Sequence, residues 1–296
     1  MTAEVSVLVA ARNEARTIRS LLDAVLAQEL EAPFELIVAD NRSTDATAAV
    51  VRERAAEDSR LRLVDAPARA GMTYAWNVAA AAARGRFLLF AAADDLPAPG
   101  WLAALHAGLQ RTGLAAARLE HERLNPAWTV AFRGGEQVAG LVERPYGPPR
   151  PYAYGNTIAI RRDLHEAVGG LDETLGPSCD MDYCYRVQRD TGAELVFVPD
   201  AVMHFRHRRT LRATLRQAIS YAADELRVQE RHRAEWRAPL EVLSPAHLVL
   251  RNGRRLLAPD ARGGRLPPVH TRAEFGAWVW GLGTDVGRLR EARSGQ

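Results

Sequence analysis

Lysine is absent from this chain: all 39 basic residues are arginine. The simplest reading of that is GC-rich coding bias. Also missing is any run of eighteen apolar residues, which excludes a spanning helix on the sequence pattern. No basic leader precedes the first strand pattern, which starts within MTAEVSVLVAARNEA, so a cleaved signal peptide is not expected. The two cysteines, Cys179 and Cys184, are too few for a disulfide framework and read as reduced thiols. Together these absences imply a cytoplasmic setting. The glycine-rich dinucleotide fingerprint is missing too. After the first strand stands Ala10-Ala11-Arg12-Asn13-Glu14, which disfavours a dinucleotide oxidoreductase.

What is present is 296 residues, 47% apolar, enough for one large α/β domain with helical additions. Val5–Ala11, Phe34–Ala39, Leu61–Ala66 and Arg86–Ala92 read as strands, separated by helical patterns at 15–28, 44–58 and 72–84. Ser43 is the candidate N-cap of the second helix. Strands without strict alternation, spaced by helices, predict a mostly parallel sheet covered on both faces, a Rossmann-like half-fold. Such sheets bind ligands at the carboxyl ends of their strands. A helix at 99–112, a strand at Leu114–His121 and a late strand at Glu194–Phe205 follow. Arg123–Pro151, rich in Gly and Pro, reads as a loop or lid. The spacing of Leu211, Leu215, Ile219, Ala222 and Leu226 predicts an amphipathic helix to about Trp236, followed by a helical tail with a Gly/Pro break at 259–268. The domain division expected is 1–210 and 211–296.

Charge is uneven although the net is only +3. Residues 204–296 hold eighteen Arg and nine acids, whereas residues 1–203 carry −6. The C-terminal excess suits phosphates, on an acceptor or on an anionic membrane face. For residues 204–233 the plain alternative is a solvated helix face. Nucleic acid is disfavoured because no binding motif or aromatic interleaving accompanies the arginines. Trp278-Val279-Trp280 reads as a packing face, either internal or at a homodimer contact.

Acids stand where the sheet places ligands. Asp40 follows the second strand, and Asp94-Asp95 follow the fourth. Each alone is ordinary turn chemistry; together, at successive strand ends, they suit a nucleotide and a metal bridging its phosphates.

Ser6 to Glu14, Ile37-Val38-Ala39-Asp40-Asn41-Arg42-Ser43-Thr44-Asp45 and Phe90-Ala91-Ala92-Ala93-Asp94-Asp95 resemble family-2 glycosyltransferases of the GT-A fold. Gly155-Asn156, Val168-Gly169-Gly170-Leu171-Asp172-Glu173 and Val198-Pro199-Asp200-Ala201-Val202-Met203-His204 continue the likeness in order. The resemblance implies an inverting transfer from a nucleotide-diphosphate sugar to a hydroxyl or amine acceptor, and the basic C-terminal segment suits an acceptor that bears a phosphate or is lipid-linked. It implies that Ala10, Arg12, Glu14 and Asp40 line the nucleotide pocket, with Gly71 and Asn77 beside it. Asp94 would ligate Mg²⁺ or Mn²⁺, with Asp95 next to it in the donor site. Asp180 would be the general base, and His204 a further metal or diphosphate contact. For His204 a hydrogen-bonded strand-end histidine is the equal alternative.

Three positions depart from the family pattern. Ala92 stands for the first Asp of D-x-D, Cys179 for the Glu before the base, and Trp76 for a basic residue before Asn77. They keep open a non-catalytic sugar-nucleotide or glycan-binding homologue. A nucleotidyltransferase is the rival enzyme, but it usually needs a Gly-rich, cation-bearing loop that Ala10–Glu14 does not supply.

Overall fold

The computed structural model describes residues 3–144, 147–236 and 271–294. The first apolar runs form β1 (Val5–Ala11), β2 (Phe34–Asp40), β3 (Leu61–Asp65) and β4 (Phe87–Ala92). Between them lie α1 (Ile18–Leu26), α2 (Thr47–Glu57) and α3 (Met72–Ala82). β1 pairs in parallel with both β2 and β4, and β2 with β3. Val5, Val7 and Val9 of β1 join a core with Ile18, Leu21, Leu22 and Trp101, while Leu8, on the opposite face, is equally buried. Burial on both faces is why these strands read as continuous apolar runs. Truncating such a residue to Ala costs about 2–5 kcal/mol.

The sheet continues through β5 (Leu96–Pro97), β6 (Leu114–Glu120), β7 (Ile158–Arg161) and β8 (Val196–His204), with α4 (Trp101–Thr112) packed on it. Strand order is β3-β2-β1-β4-β7-β6-β8-β5. β7 is antiparallel to both neighbours, and β5 is antiparallel to β8. β6 and β8 are parallel to each other. The carboxyl ends of β1, β2, β4, β6 and β8 therefore open on one edge, and β7 starts from it.

Two local details differ from expectation. α2 starts at Thr47 and Ser43 does not cap it. The Ser43 hydroxyl instead accepts from Asn13 N at 2.9 Å, and Asp45 Oδ1 receives Thr47 N at 2.9 Å. The stretch expected to be loop holds a helix, α5 (Ala127–Arg133), which begins after Pro126. α6 (Arg162–Ala167) and α7 (Cys179–Thr191) follow β7, and the expected Arg-rich helix is α8 (Leu211–Arg231). The last described helix is α9 (Arg272–Ser294); the Gly/Pro break at 259–268 lies outside the described residues.

Contacts divide the chain differently from a cut after residue 210. One compact unit comprises residues up to Glu120, Glu136–Arg144 and Arg150–Arg206. The other groups His121–Gly135 with the described residues from His207 onward. Within the second unit α9 packs along α8 and against α5. A Cβ on Gly283 would fall 2.6 Å from Ala218 Cβ, and one on Gly287 2.3 Å from Ile219 O, so glycine sets this close approach. Trp280 meets Tyr221 edge-on and lies beneath Arg133, so this member of the tryptophan pair packs internally.

Candidate functional site

At the β1 exit, Asn13 adopts φ 57° and ties two strand-end loops together. Its Oδ1 accepts from Thr44 N at 2.8 Å, Glu14 N donates to Thr47 Oγ1 at 2.7 Å, and Ala15 N donates to Asp45 Oδ2 at 3.1 Å. A third loop is fastened by Asn41. It accepts from Gly71 N at 2.8 Å and donates to Ala66 O and Arg69 O at 2.8 and 2.7 Å. Asp40 sits between these loops. Its Oδ2 accepts from Ser43 N at 3.3 Å, but its Oδ1 is shielded from solvent and has no partner among the described residues. A buried carboxylate oxygen left so is costly unless a donor arrives. Ala10 lies in register with Ala39 and Ala92, below Arg12. Arg12 and Arg42 are exposed and carry no acid partner among the described residues.

At the β4 exit the two acids separate in role. Asp95 is buried and points inward, accepting from Arg206 N at 2.8 Å and from Asn156 Nδ2 at 2.5 Å. Burial, and then the adjacent Asp94 charge, push its pKa well above the usual carboxylate range. Arg206 also donates from Nε to Asp94 O at 2.8 Å, so its two bonds clamp the turn. Nearby register pairs Leu96 with His204 and Glu120 with His204. His204 is 8% exposed, and its Nδ1 meets Glu120 Oε2 at 2.5 Å. A carboxylate on Nδ1 fixes ring orientation and tautomer, the arrangement found behind metal-bound histidines.

Asp180 lies in the first turn of α7 and is buried. Its Oδ2 accepts from Gly155 N at 3.1 Å and its Oδ1 from Met181 N at 2.8 Å. Gly155 rests on Trp76: a Cβ there would lie 3.0 and 3.1 Å from two ring carbons. Trp76 is itself anchored, donating from Nε1 to Ala91 O at 3.2 Å and meeting Phe90 edge-on. The aromatic residue in the place of a basic one is thus a wedge under the turn that carries Gly155. Tyr152 is buried next to this cluster. Burial raises its pKa, the Asp180 charge adds to the rise, and its hydroxyl receives Arg144 Nε at 3.2 Å.

Ala10, Arg12, Glu14, Asp40, Asp94, Asp95, Asp180 and His204 therefore share the carboxyl edge of the sheet. Gly71 opens α3 from the Asn41-held loop. Asn77 turns elsewhere: its amide bonds Leu171 N and O at 3.0 and 2.8 Å and Glu173 Oε1 at 2.8 Å. Tyr183 is fully buried and meets His165 Nδ1 at 2.6 Å. Cys179 and Cys184 are buried and form no disulfide with each other, and burial pushes the Cys184 thiol up to about 12. Arg206 and Glu120 also bond to candidate site residues, and nothing in their spacing singles them out; Gly155-Asn156 belong to the family likeness, but their bonds to Asp180 and Asp95 do not follow from it. The only signal for Glu120 is that it ends a strand parallel to the others.

Residues 6–169 match the family described as Glycosyl transferase family 2. Among curated relatives, the pre-mycofactocin glycosyltransferase of Mycobacterium tuberculosis (strain ATCC 25618 / H37Rv) is 27% identical over 235 residues, covering 77% of this chain and 48% of that protein. Glycosyltransferase AglE of Haloferax volcanii is 25% identical over 199 residues, covering 67% of this chain and 65% of AglE. An uncharacterized Sinorhizobium fredii protein, y4gI, is 29% identical over 223 residues, 68% of this chain and 24% of its own length. The chain thus spans less than two thirds of each of these relatives. Among solved structures, the mannosyltransferase PcManGT from Pyrobaculum calidifontis, in complex with GDP-Man and Mn²⁺, superposes with TM-score 0.57 at 22% identity, covering 100% of this chain and 76% of that one. TarS 1–349 of S. aureus with UDP-GlcNAc gives TM-score 0.55 at 17% identity, covering 99% and 92%. These likenesses establish the fold as α/β of the GT-A type, with C-terminal helices.

Proposed function

Because the chain belongs to glycosyl transferase family 2, we propose that it transfers a sugar from a nucleotide-diphosphate donor to a hydroxyl acceptor, with inversion at the anomeric carbon. The observation that carries this is Asp40: a shielded, partnerless carboxylate oxygen at the ligand edge of a parallel sheet, beside the exposed guanidinium groups of Arg12 and Arg42. A nucleoside supplies N–H or O–H donors to the first, and a diphosphate supplies charge to the others.

Asp180 acts as general base, taking the proton of the acceptor hydroxyl as that oxygen attacks the anomeric carbon. Its N–H donor from Gly155 holds one oxygen in place, which leaves the carboxylate oriented before the acceptor arrives. For the metal, the donor set is open. Among the described residues no group of three or more His, Cys, Asp or Glu could hold an ion. On the proposed reading Asp94 and His204, the latter held by Glu120, would contribute ligands to Mg²⁺ or Mn²⁺, the rest of the shell coming from donor phosphates and water. Such an ion would offset the charge on the departing diphosphate. Arg206 and Asn156 keep the Asp94-Asp95 turn in shape for it.

Ala92 and the fully buried Cys179, standing where the family has acids, favour a second reading, a binding homologue without turnover. Calorimetric titration with UDP, GDP and dTDP, with and without Mn²⁺, followed by donor hydrolysis, separates the two. UDP and GDP come first because the neighbouring structures hold UDP-GlcNAc and GDP-Man. An enzyme shows metal-dependent binding of one nucleotide and cleavage of its sugar donor, and Asp180→Asn keeps the binding while losing about 10²–10⁴-fold in turnover. Binding without cleavage in the wild type establishes the homologue, and unchanged turnover in Asp180→Asn removes the base assignment.

A further inference from the structure

Within the C-terminal unit α8 and α9 start at the same end. Gly283 faces Leu215 and Ala218, Gly287 faces Ile219 and Ala222, and Arg288 reaches Glu225, so numbering rises together along both helices. α5 joins that end of α9: Phe132 fills the space beside Gly276, and Arg272 lies over the Trp128 ring at 4.3 Å.

That end of the unit carries two kinds of side chain. The first is cationic. Arg209, Arg212 and Arg216 are exposed and have no acid partner among the described residues. Arg212 and Arg216 lie on the face of α8 opposite its buried Thr214, Ala218 and Ala222. Further along α8, by contrast, Arg227 is paired with Glu291 at 2.7 Å. The first turn of α8 contains no acid. Cations at a helix N-terminus are repelled by the macrodipole, so this arrangement works against helix stability unless an external anion balances it. The acid in the first turn of α9, Glu274, is engaged with Thr271 at its own helix start. The second is aromatic. Phe275 is 40% exposed and stacks on half-buried Trp278, and Trp128 stacks on Phe132.

We infer that this end of the C-terminal unit docks on an anionic lipid surface, with its aromatic rings at the level of the headgroups and its arginines among the lipid phosphates. The contact proposed is peripheral; no helix of the described residues is long and apolar enough to cross a membrane. A single phosphate-bearing ligand fits less well. Arg212 and Arg216 are set about 6 Å apart along the axis, with Arg209 before them, a row rather than a convergent cradle. A soluble anion would also leave Phe275 uncovered. The inference does not depend on the chemistry at Asp94 or Asp180.

Flotation of the full chain with vesicles tests it. Vesicles of phosphatidylcholine alone are compared with vesicles that also contain phosphatidylglycerol, across a salt series, with soluble polyphosphate as a competitor. The wild type is expected to float with the anionic vesicles only, and less so as salt rises. Arg209→Gln/Arg212→Gln/Arg216→Gln should lower the partition coefficient about a hundredfold, and Phe275→Ser should weaken retention about tenfold without changing the salt slope. Circular dichroism should show the triple variant folded, since it relieves repulsion at a helix start. No flotation, or binding that is equal on neutral vesicles, overturns the proposal. So does polyphosphate binding without vesicle binding, which would assign the stripe to a phosphorylated soluble partner.

Discussion

Gly155 donates its backbone N–H to Asp180 Oδ2 at 3.1 Å while its Cα rests on the ring of Trp76. The proposed base thus gains its orientation from a glycine that a tryptophan supports from below, and the three residues come from separate elements. Gly155→Ala would put a methyl group at about 3 Å from the ring, tighter than most packing contacts, so that ring and turn must part by a few tenths of an ångström and the turn is expected to draw back from the carboxylate. The loss of that N–H disfavours the ionised form, so the acid limb of the kcat/KM profile should move to higher pH. A drop of about tenfold at neutral pH is expected, equivalent to about 1.4 kcal/mol. Opening space with Trp76→Leu in the same chain should restore part of it. An unshifted profile in Gly155→Ala would separate the turn from the base.

Glu120→Gln tests the metal side. Removing the carboxylate that meets His204 Nδ1 leaves the ring in place but unfixed in tautomer. Affinity for Mn²⁺ in the presence of nucleotide should fall about 10–100-fold, with nucleotide binding in the absence of metal unchanged. Metal titration followed by calorimetry reads both. Equal Mn²⁺ affinity in the variant would leave His204 a structural histidine.

Acid should destabilise the fold in two stages. His165 is buried against Tyr183, and burial, with Arg162 and Arg186 nearby, lowers its pKa to about 4. Its neutral form is the one that folds, so its contribution is complete above its ordinary value of 6.5 and is lost as pH falls towards 4. About 2 kcal/mol should be gone near pH 5. In His165→Gln the unfolding free energy from urea titrations should lose most of this dependence.

The second stage belongs to Glu35. Burial alone would raise its pKa, but hydrogen bonds from Ser6 and the Arg84 N–H, and the Arg62 pair, outweigh it and leave it below its ordinary 4.5. Stability from this carboxylate is therefore present above pH 4.5 and lost as pH falls through the lower folded value. Glu35→Gln should cost about 2–3 kcal/mol at neutral pH and flatten the remaining acid slope. A variant as stable as wild type at neutral pH would show the Ser6–Glu35–Arg62 network to be incidental.

Most of the β1–β4 half is legible in the residues. Val5–Ala11 is apolar at every position but Ser6 because both of its faces are covered, and the same logic places Asp40 and Asp94 at strand ends. What could not be read was competition between local and distant partners. Ser43 has the chemistry of a cap, yet the left-handed turn at Asn13 brings a distant N–H to its hydroxyl, and Asp45 takes the capping work. The resemblance sets Asn77 beside the nucleotide pocket, but the loop at Leu171, far along the chain, takes its amide. α5 was hidden by the glycines and prolines around it, because its seven residues are too few to show a period. Arg206 lies in a basic run where nothing in the sequence distinguishes it from its neighbours. Only the β5–β8 pairing brings it onto Asp94 and Asp95.

The place of β7 has a consequence for how the molecule comes into being. β4 finds its outer neighbour only at Ile158–Arg161, and β6 depends on the same strand. As the chain emerges from the ribosome, the β1–β4 half can assemble from contacts close in sequence, but with one edge unsatisfied, a surface on which another nascent chain could pair. Closure waits for the segment that also delivers Gly155, so the step that ends the aggregation hazard is the step that brings the partner of Asp180 to the site.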